Sequence, residues 1–107
     1  EGTINGSPVT FLVDTGANTV AMNHNLAQRV GIDYRKGRQG TAATASGYAH
    51  VYGVKLDAVK IGGIMVRNVD AVVFEGPQPS TPLLGMSFLT HVEMKRAGNR
   101  MELIKRY

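Results

Sequence analysis

Apolar residues fall in short runs along this chain, and Gly, Pro and Asn separate them. That spacing belongs to many short strands rather than to long helices. Asn5-Gly6 is a strong hairpin signal and pairs Glu1 to Ile4 with Val9 to Val13, leaving Pro8 near a strand start. Asn18 to Met22 reads as a further strand. Asn23 then offers an N-cap, Leu26, Ala27 and Val30 recur at helical spacing, and Gly31 supplies a stop, so a short surface helix is expected over Asn23 to Val30. Asp33 to Gly40 is polar and basic and predicts a loop. Thr41 to Thr44 and Tyr48 to Lys60 flank Ala45-Ser46-Gly47, a hairpin with few large side chains and hence few contacts holding it closed. Gly62-Gly63 turns the chain. Ile64 to Val66 and Val69 to Phe74 read as two strands. Glu75 to Pro82 carries three prolines and predicts irregular backbone. Leu83-Leu84 reads as buried strand and Gly85 to Leu89 as one or two helical turns. Val92 to Lys95 and Arg100 to Ile104 form a last hairpin around Ala97-Gly98-Asn99. The pattern predicts an all-β chain, a closed sandwich or barrel with one or two short helices.

One stretch departs from ordinary strand grammar. Phe11-Leu12-Val13 runs into Asp14-Thr15-Gly16-Ala17. A carboxylate at the end of an apolar strand is costly unless it has a partner or a task. An Asp capping its own turn is the bland explanation, and a bare Asp-Thr-Gly would be weak evidence. The flanks sharpen it, because Leu83-Leu84-Gly85 lies far downstream as a second apolar pair closed by Gly. In order and spacing, from Ile4 to Ile104, the chain resembles the retropepsin-like aspartic proteases, which show an apolar strand, Asp-Thr-Gly-Ala, a flap hairpin, then two apolar residues and Gly before a short helix. It looks most like the bacterial, often periplasmic, single-lobe members. The resemblance implies a closed acid-protease barrel over residues 1–107, Asp14, Thr15 and Gly16 as the catalytic turn, and a flap at Ala45, Ser46 and Gly47. It also implies substrate contacts from those three, from Ala17 and Asn18, and from Leu84, which with Gly85 would pack behind the turn.

Length and chemistry then decide how such a site could be completed. Peptide hydrolysis of this type needs two carboxylates close enough to share one proton. The chain has 107 residues and one Asp-Thr-Gly; Asp33, Asp57 and Asp70 lack its context. Two lobes in one chain would need about 200 residues. A symmetric homodimer is the remaining route, since a two-fold axis sets a residue near it beside its own copy.

Other chemistry is less well supported. No two of His24, His50 and His91 sit at a metal-ligand spacing, and the chain has no Cys, so neither a metal site nor a cofactor is expected. Each His is expected at the surface or in a local hydrogen bond. Ser46, Ser80 and Ser87 lack a nucleophile-elbow context. Met65, Met86, Met94 and Met101 are expected in the core. The formal net charge is +4, with basic residues gathered at Arg35-Lys36-Gly37-Arg38 and near the C-terminal end. Aromatic residues do not interleave with them, so nucleic acid is not expected as a partner. No run is apolar enough to span a membrane and no signal peptide is visible. The chain begins with Glu1 rather than Met, so an excised piece is expected, with any anchor lying upstream; the resemblance favours the bacterial periplasm. Two positions differ from the viral pattern: Asn18 stands where those enzymes carry an acid, and Met86 where they carry its Arg partner. The alternatives are a peptide-binding or dimerisation module that kept the fold, and a basic nucleic-acid-binding barrel.

Overall fold

Asn5 and Gly6 both take positive φ, 50° and 89°, the backbone that a tight two-residue hairpin requires. They join β1 (Gly2–Ile4) to β2 (Ser7–Val9). The turn is docked as well as formed, because Asn5 receives the Ala58 N–H on Oδ1 at 3.0 Å and donates its own N–H to the Ala58 carbonyl at 2.8 Å. The computed structural model describes residues 2–44, 47–97 and 100–105. The expected turn at Gly98-Asn99 lies outside the described residues.

Beyond β2 come β3 (Leu12–Val13), β4 (Val20–Asn23), β5 (Arg38–Thr44), β6 (Gly47–Ile61), β7 (Ile64–Phe74) and β8 (Leu83–Leu84). These eight strands make one sheet in the order β2-β1-β6-β7-β4-β8-β3, with β5 on the flank of β6. The sheet curls into a half-barrel. The pairs β4–β7 and β3–β8 are parallel, and the others antiparallel. A separate two-stranded sheet pairs β9 (Val92–Ala97) with β10 (Arg100–Lys105).

The long strand β6 explains the curl. Its first half pairs with β5 from Gly47 to Gly53, and its last residues pair with β1 from Val59 to Ile61, while β7 lines the opposite side. Successive residues of a strand point to opposite faces. Tyr52 and Leu56, facing Val73 and Val69, are buried on one face; Val59, facing Val66, is buried on the other. The buried face therefore changes along the strand, as it must when a twisted sheet wraps round its own core. The freed face at the other end, with Val51, Val72 and Phe74, opens on a cleft.

α1 (His24–Arg29) starts and stops by its own chemistry. The Asn23 Oδ1 accepts the Leu26 N–H at 2.8 Å. At the far end Gly31, at φ 81°, donates to the Gln28 carbonyl while Ile32 donates to that of Ala27, the paired closure of a Schellman motif. Leu26 and Ala27 face the core. α2 (Met86–Leu89) sinks Phe88 completely.

Several expectations need correction. β2 ends at Val9, and Leu12–Val13 is a separate strand on β8, because the chain leaves β1 after three pairs. The fourth strand begins at Val20, not Asn18. Arg38 to Gly40 is strand, since β6 extends far enough to pair it. Before it, Tyr34 anchors a 3-10 turn (Tyr34–Lys36) by burying its ring edge-on against Tyr52, with centroids 5.2 Å apart. Arg67-Asn68 does not divide β7: Asn68 takes φ 56°, yet pairing with β6 resumes on both sides of it. Met65 is 36% exposed on the outer face rather than in the core, whereas Met22 is fully buried and Met86 packs on the core's margin. The side chains of Met94 and Met101 lie outside the description.

Candidate active site

Asp14 follows β3 directly, and backbone hydrogen bonds fix the chain on both sides of it. Leu12 and Val13 run parallel to Leu83 and Leu84. The Leu12 N–H donates to the Pro82 carbonyl at 2.9 Å, and the Asp14 N–H to the Leu84 carbonyl at 3.1 Å. The turn then closes on the acid: the Gly16 N–H donates to Asp14 Oδ1 at 2.9 Å and the Ala17 N–H to the Asp14 carbonyl at 3.2 Å. One carboxylate oxygen is thereby held by the turn, and Oδ2 is left for other work.

α2 locks the turn from below. The first N–H groups of a helix lack partners inside it. Here the Met86 N–H donates to the Ala17 carbonyl at 2.8 Å and the Ser87 N–H to the Asn18 carbonyl at 2.9 Å. The Ser87 hydroxyl accepts the Val20 N–H at 3.0 Å and donates to the Asp70 carbonyl at 2.7 Å, a structural task that leaves it no nucleophilic one. Gly85 permits this closeness, because a Cβ there would overlap the carbonyl oxygen of Thr19 and crowd that of Ala17. The two apolar-plus-glycine motifs of the sequence thus interlock through backbone.

Of the residues expected in the site, Asp14 is half-buried, Thr15 and Gly16 are exposed at the turn, and Ala17 and Asn18 line the neighbouring cleft. Leu84 does not line it. At 1% exposure it is packed behind the turn, where its carbonyl supports Asp14, so its side chain is support rather than substrate surface. Ala45 and Ser46 lie outside the described residues. Gly47 opens β6 opposite Thr44 at φ 117°. Leu12 and Val13 are not buried as the run of apolar residues suggested: they are 57% and 41% exposed, on the terminal strand of the sheet.

The cleft holds about 1000 Å³. The hairpin β5–β6 covers it with Thr41, Ala42, Ala43 and Ala49, its floor is Ala21, Val51, Val72 and Leu83, and Glu75, Pro77, Gln78 and Pro79 make one wall. The wall was missed in the sequence, where the three prolines signalled only irregular backbone. The histidines stand apart. His24 Nδ1 meets Gly76 at 3.0 Å. His50 is exposed and edge-on to Tyr52, and His91 precedes β9 with its N–H on the Phe88 carbonyl. No helix among the described residues is long and apolar enough to cross a membrane.

A half-barrel with an acid-threonine-glycine turn laced to a second apolar-glycine strand defines a retropepsin-like aspartic-protease lobe. Residues 1–91 match the family model described as "gag-polyprotein putative aspartyl protease", and the chain belongs to that family. A curated protein from Sinorhizobium sp., "Uncharacterized protein in cobV 5'region", is 38% identical over 93 residues; the match takes in 86% of this chain and 40% of that protein's length. Among solved structures, a retropepsin-like aspartic protease from Rickettsia conorii superposes with a TM-score of 0.79 at 29% identity, covering 96% of this chain and 85% of that one. The retroviral protease-like domain of Ddi1 from Leishmania major shares the fold, with a TM-score of 0.65, 23% identity, and coverage of 97% and 89%. So does EIAV protease in an inhibitor complex, at 0.62, 22%, 84% and 85%.

Proposed function

We propose that this chain is one half of a homodimeric aspartic endopeptidase in which two copies of Asp14 activate a water between them. The observation that carries this reading is the position of the acid. Asp14 ends the outermost strand of the sheet, its turn is fixed by Leu84 and α2, and the apolar side chains beside it, Leu12 and Val13, are uncovered. An open edge strand with exposed apolar residues is a surface that proteins normally cover. A second copy about a two-fold axis covers it and brings the two acids together.

Two carboxylates that close share one proton. The ionised one takes a proton from the water as general base, and the protonated one donates to the scissile carbonyl oxygen, so attack gives a tetrahedral intermediate without a covalent adduct. Thr15 reaches across the axis with its hydroxyl, and Gly16 lets the two backbones approach. The substrate is an extended polypeptide in the cleft, bonded through its main chain by Asn18 and the turn, with the hairpin β5–β6 and its Ala45-Ser46-Gly47 end acting as flap. Sedimentation of the wild type and of Asp14→Asn, followed by peptide hydrolysis by both, tests the reading. Dimers of each with hydrolysis confined to the wild type support it. Equal rates, or a monomer at all concentrations, end it in favour of a peptide-binding module.

A further inference from the structure

The cleft is lined almost wholly by apolar and small polar residues, and one ionisable group interrupts it. Among the described residues that line it, Glu75 alone carries a charge. It follows β7, is exposed, and is absent from both ion pairs found among the described residues. Its N–H is held by the His50 carbonyl at 3.0 Å, which ties the wall to the base of the hairpin.

The wall is also fastened from behind. Neither Asn23 nor His24 lines the cleft, yet both grip the segment that does. His24 Nδ1 lies 3.0 Å from the Gly76 N–H and 3.0 Å from the Gly76 carbonyl, so the imidazole is held against this one peptide group. The Asn23 Nδ2 donates to the Pro79 carbonyl at 3.0 Å and to that of Pro77 at 3.4 Å, while its Oδ1 caps α1. A proline-rich loop with no regular pairing of its own is thus fixed at three points by the first turn of one helix.

We infer that the Glu75–Pro79 segment is the specificity wall of the cleft, with Glu75 selecting a cationic side chain of the bound polypeptide and Asn23 and His24 acting as positioning residues. The inference rests on the reading that the cleft takes polypeptide. The chemistry suits Lys or Arg: the methylene stem lies along Phe74 and Pro77 while the charged head meets the carboxylate at the rim. An acidic substrate side chain at that point is repelled.

Binding to the Asp14→Asn protein measures selection apart from hydrolysis. The probes are fluorescent apolar decapeptides carrying one Lys at successive positions, and the same set with norleucine, which keeps the stem and lacks the charge. At one position Lys should bind about two- to five-fold more tightly, the range for an exposed ion pair, and the advantage should shrink in high salt. Glu75→Gln should abolish the preference and Glu75→Lys reverse it. His24→Ala should reduce the preference while affinity for the norleucine set holds, and His24→Asn, whose Oδ1 can accept the Gly76 N–H, should restore it. Equal binding of both sets at every position, no binding of either, or a preference that survives Glu75→Gln overturns the inference. Hydrolysis by the wild type separates the two claims: selective binding without cleavage ends the hydrolase reading alone, and cleavage without a Lys preference ends this one alone.

Discussion

Gly85 and Thr19 are packed backbone against backbone, so closely that any side chain at Gly85 would enter the space of the Thr19 carbonyl. This contact sets the depth at which α2 meets the segment after Asp14. Gly85→Ala cannot be relieved by a rotamer change, because the obstacle is main chain. The variant should lose about 3 kcal/mol, the upper end for overpacking, and show a large fall in melting temperature by circular dichroism, or fail to fold. A melting point within two degrees of wild type would show that the turn and α2 can separate freely.

Asp14→Asn keeps an oxygen able to accept the Gly16 N–H and removes the titratable carboxylate. Stability should therefore change little, while peptide hydrolysis falls by at least about a hundred-fold, the scale of a lost general acid–base. Matched denaturation and turnover measurements check both halves.

Leu12 is 57% exposed in the single chain, so Leu12→Lys should cost the monomer under about 0.5 kcal/mol, as surface changes do. In a dimer closed across β3 the same change places like charges at the axis. Sedimentation velocity should shift toward the monomer, with a parallel loss of hydrolysis at low concentration and partial recovery of both in high salt, which screens the repulsion.

Asn23 has two separable duties. Asn23→Ala should lose the cap of α1 and the bonds to Pro77 and Pro79 together, for about 1–2 kcal/mol from the cap alone. Asn23→Asp should keep the cap but set a carboxylate against two carbonyl oxygens. Hydrogen exchange at Gly76 and Gln78 should quicken in both variants, and at Leu26 only in the alanine one.

The parts of this fold that were legible in the sequence are those whose cause is local. Asn5-Gly6 announces its hairpin because only such residues take that backbone readily. Asn23 and Gly31 announce α1 because cap and stop act within a few positions. The Asp14 turn and Leu83-Leu84-Gly85 could be joined across the chain only because each is distinctive by itself. What was misread depends on distant partners. Arg67-Asn68 looks like a break until β6 lies beside it. Tyr34 looks like a loop residue until Tyr52 receives its ring. Leu12 and Val13 look buried because their composition is apolar, and nothing local says that one chain leaves them uncovered. The wall of the cleft was hidden for the same reason: Asn23 and His24 act on carbonyl and amide groups some fifty residues away, which leave no trace in side-chain identity.

Among the described residues of the hairpin from Arg38 to His50, none belongs to the hydrophobic core, and β6 enters that core only from Val51 onward. Folding therefore places almost no demand on which amino acids occupy this arm. Side chains at its described positions can be exchanged with little cost to the barrel beneath them.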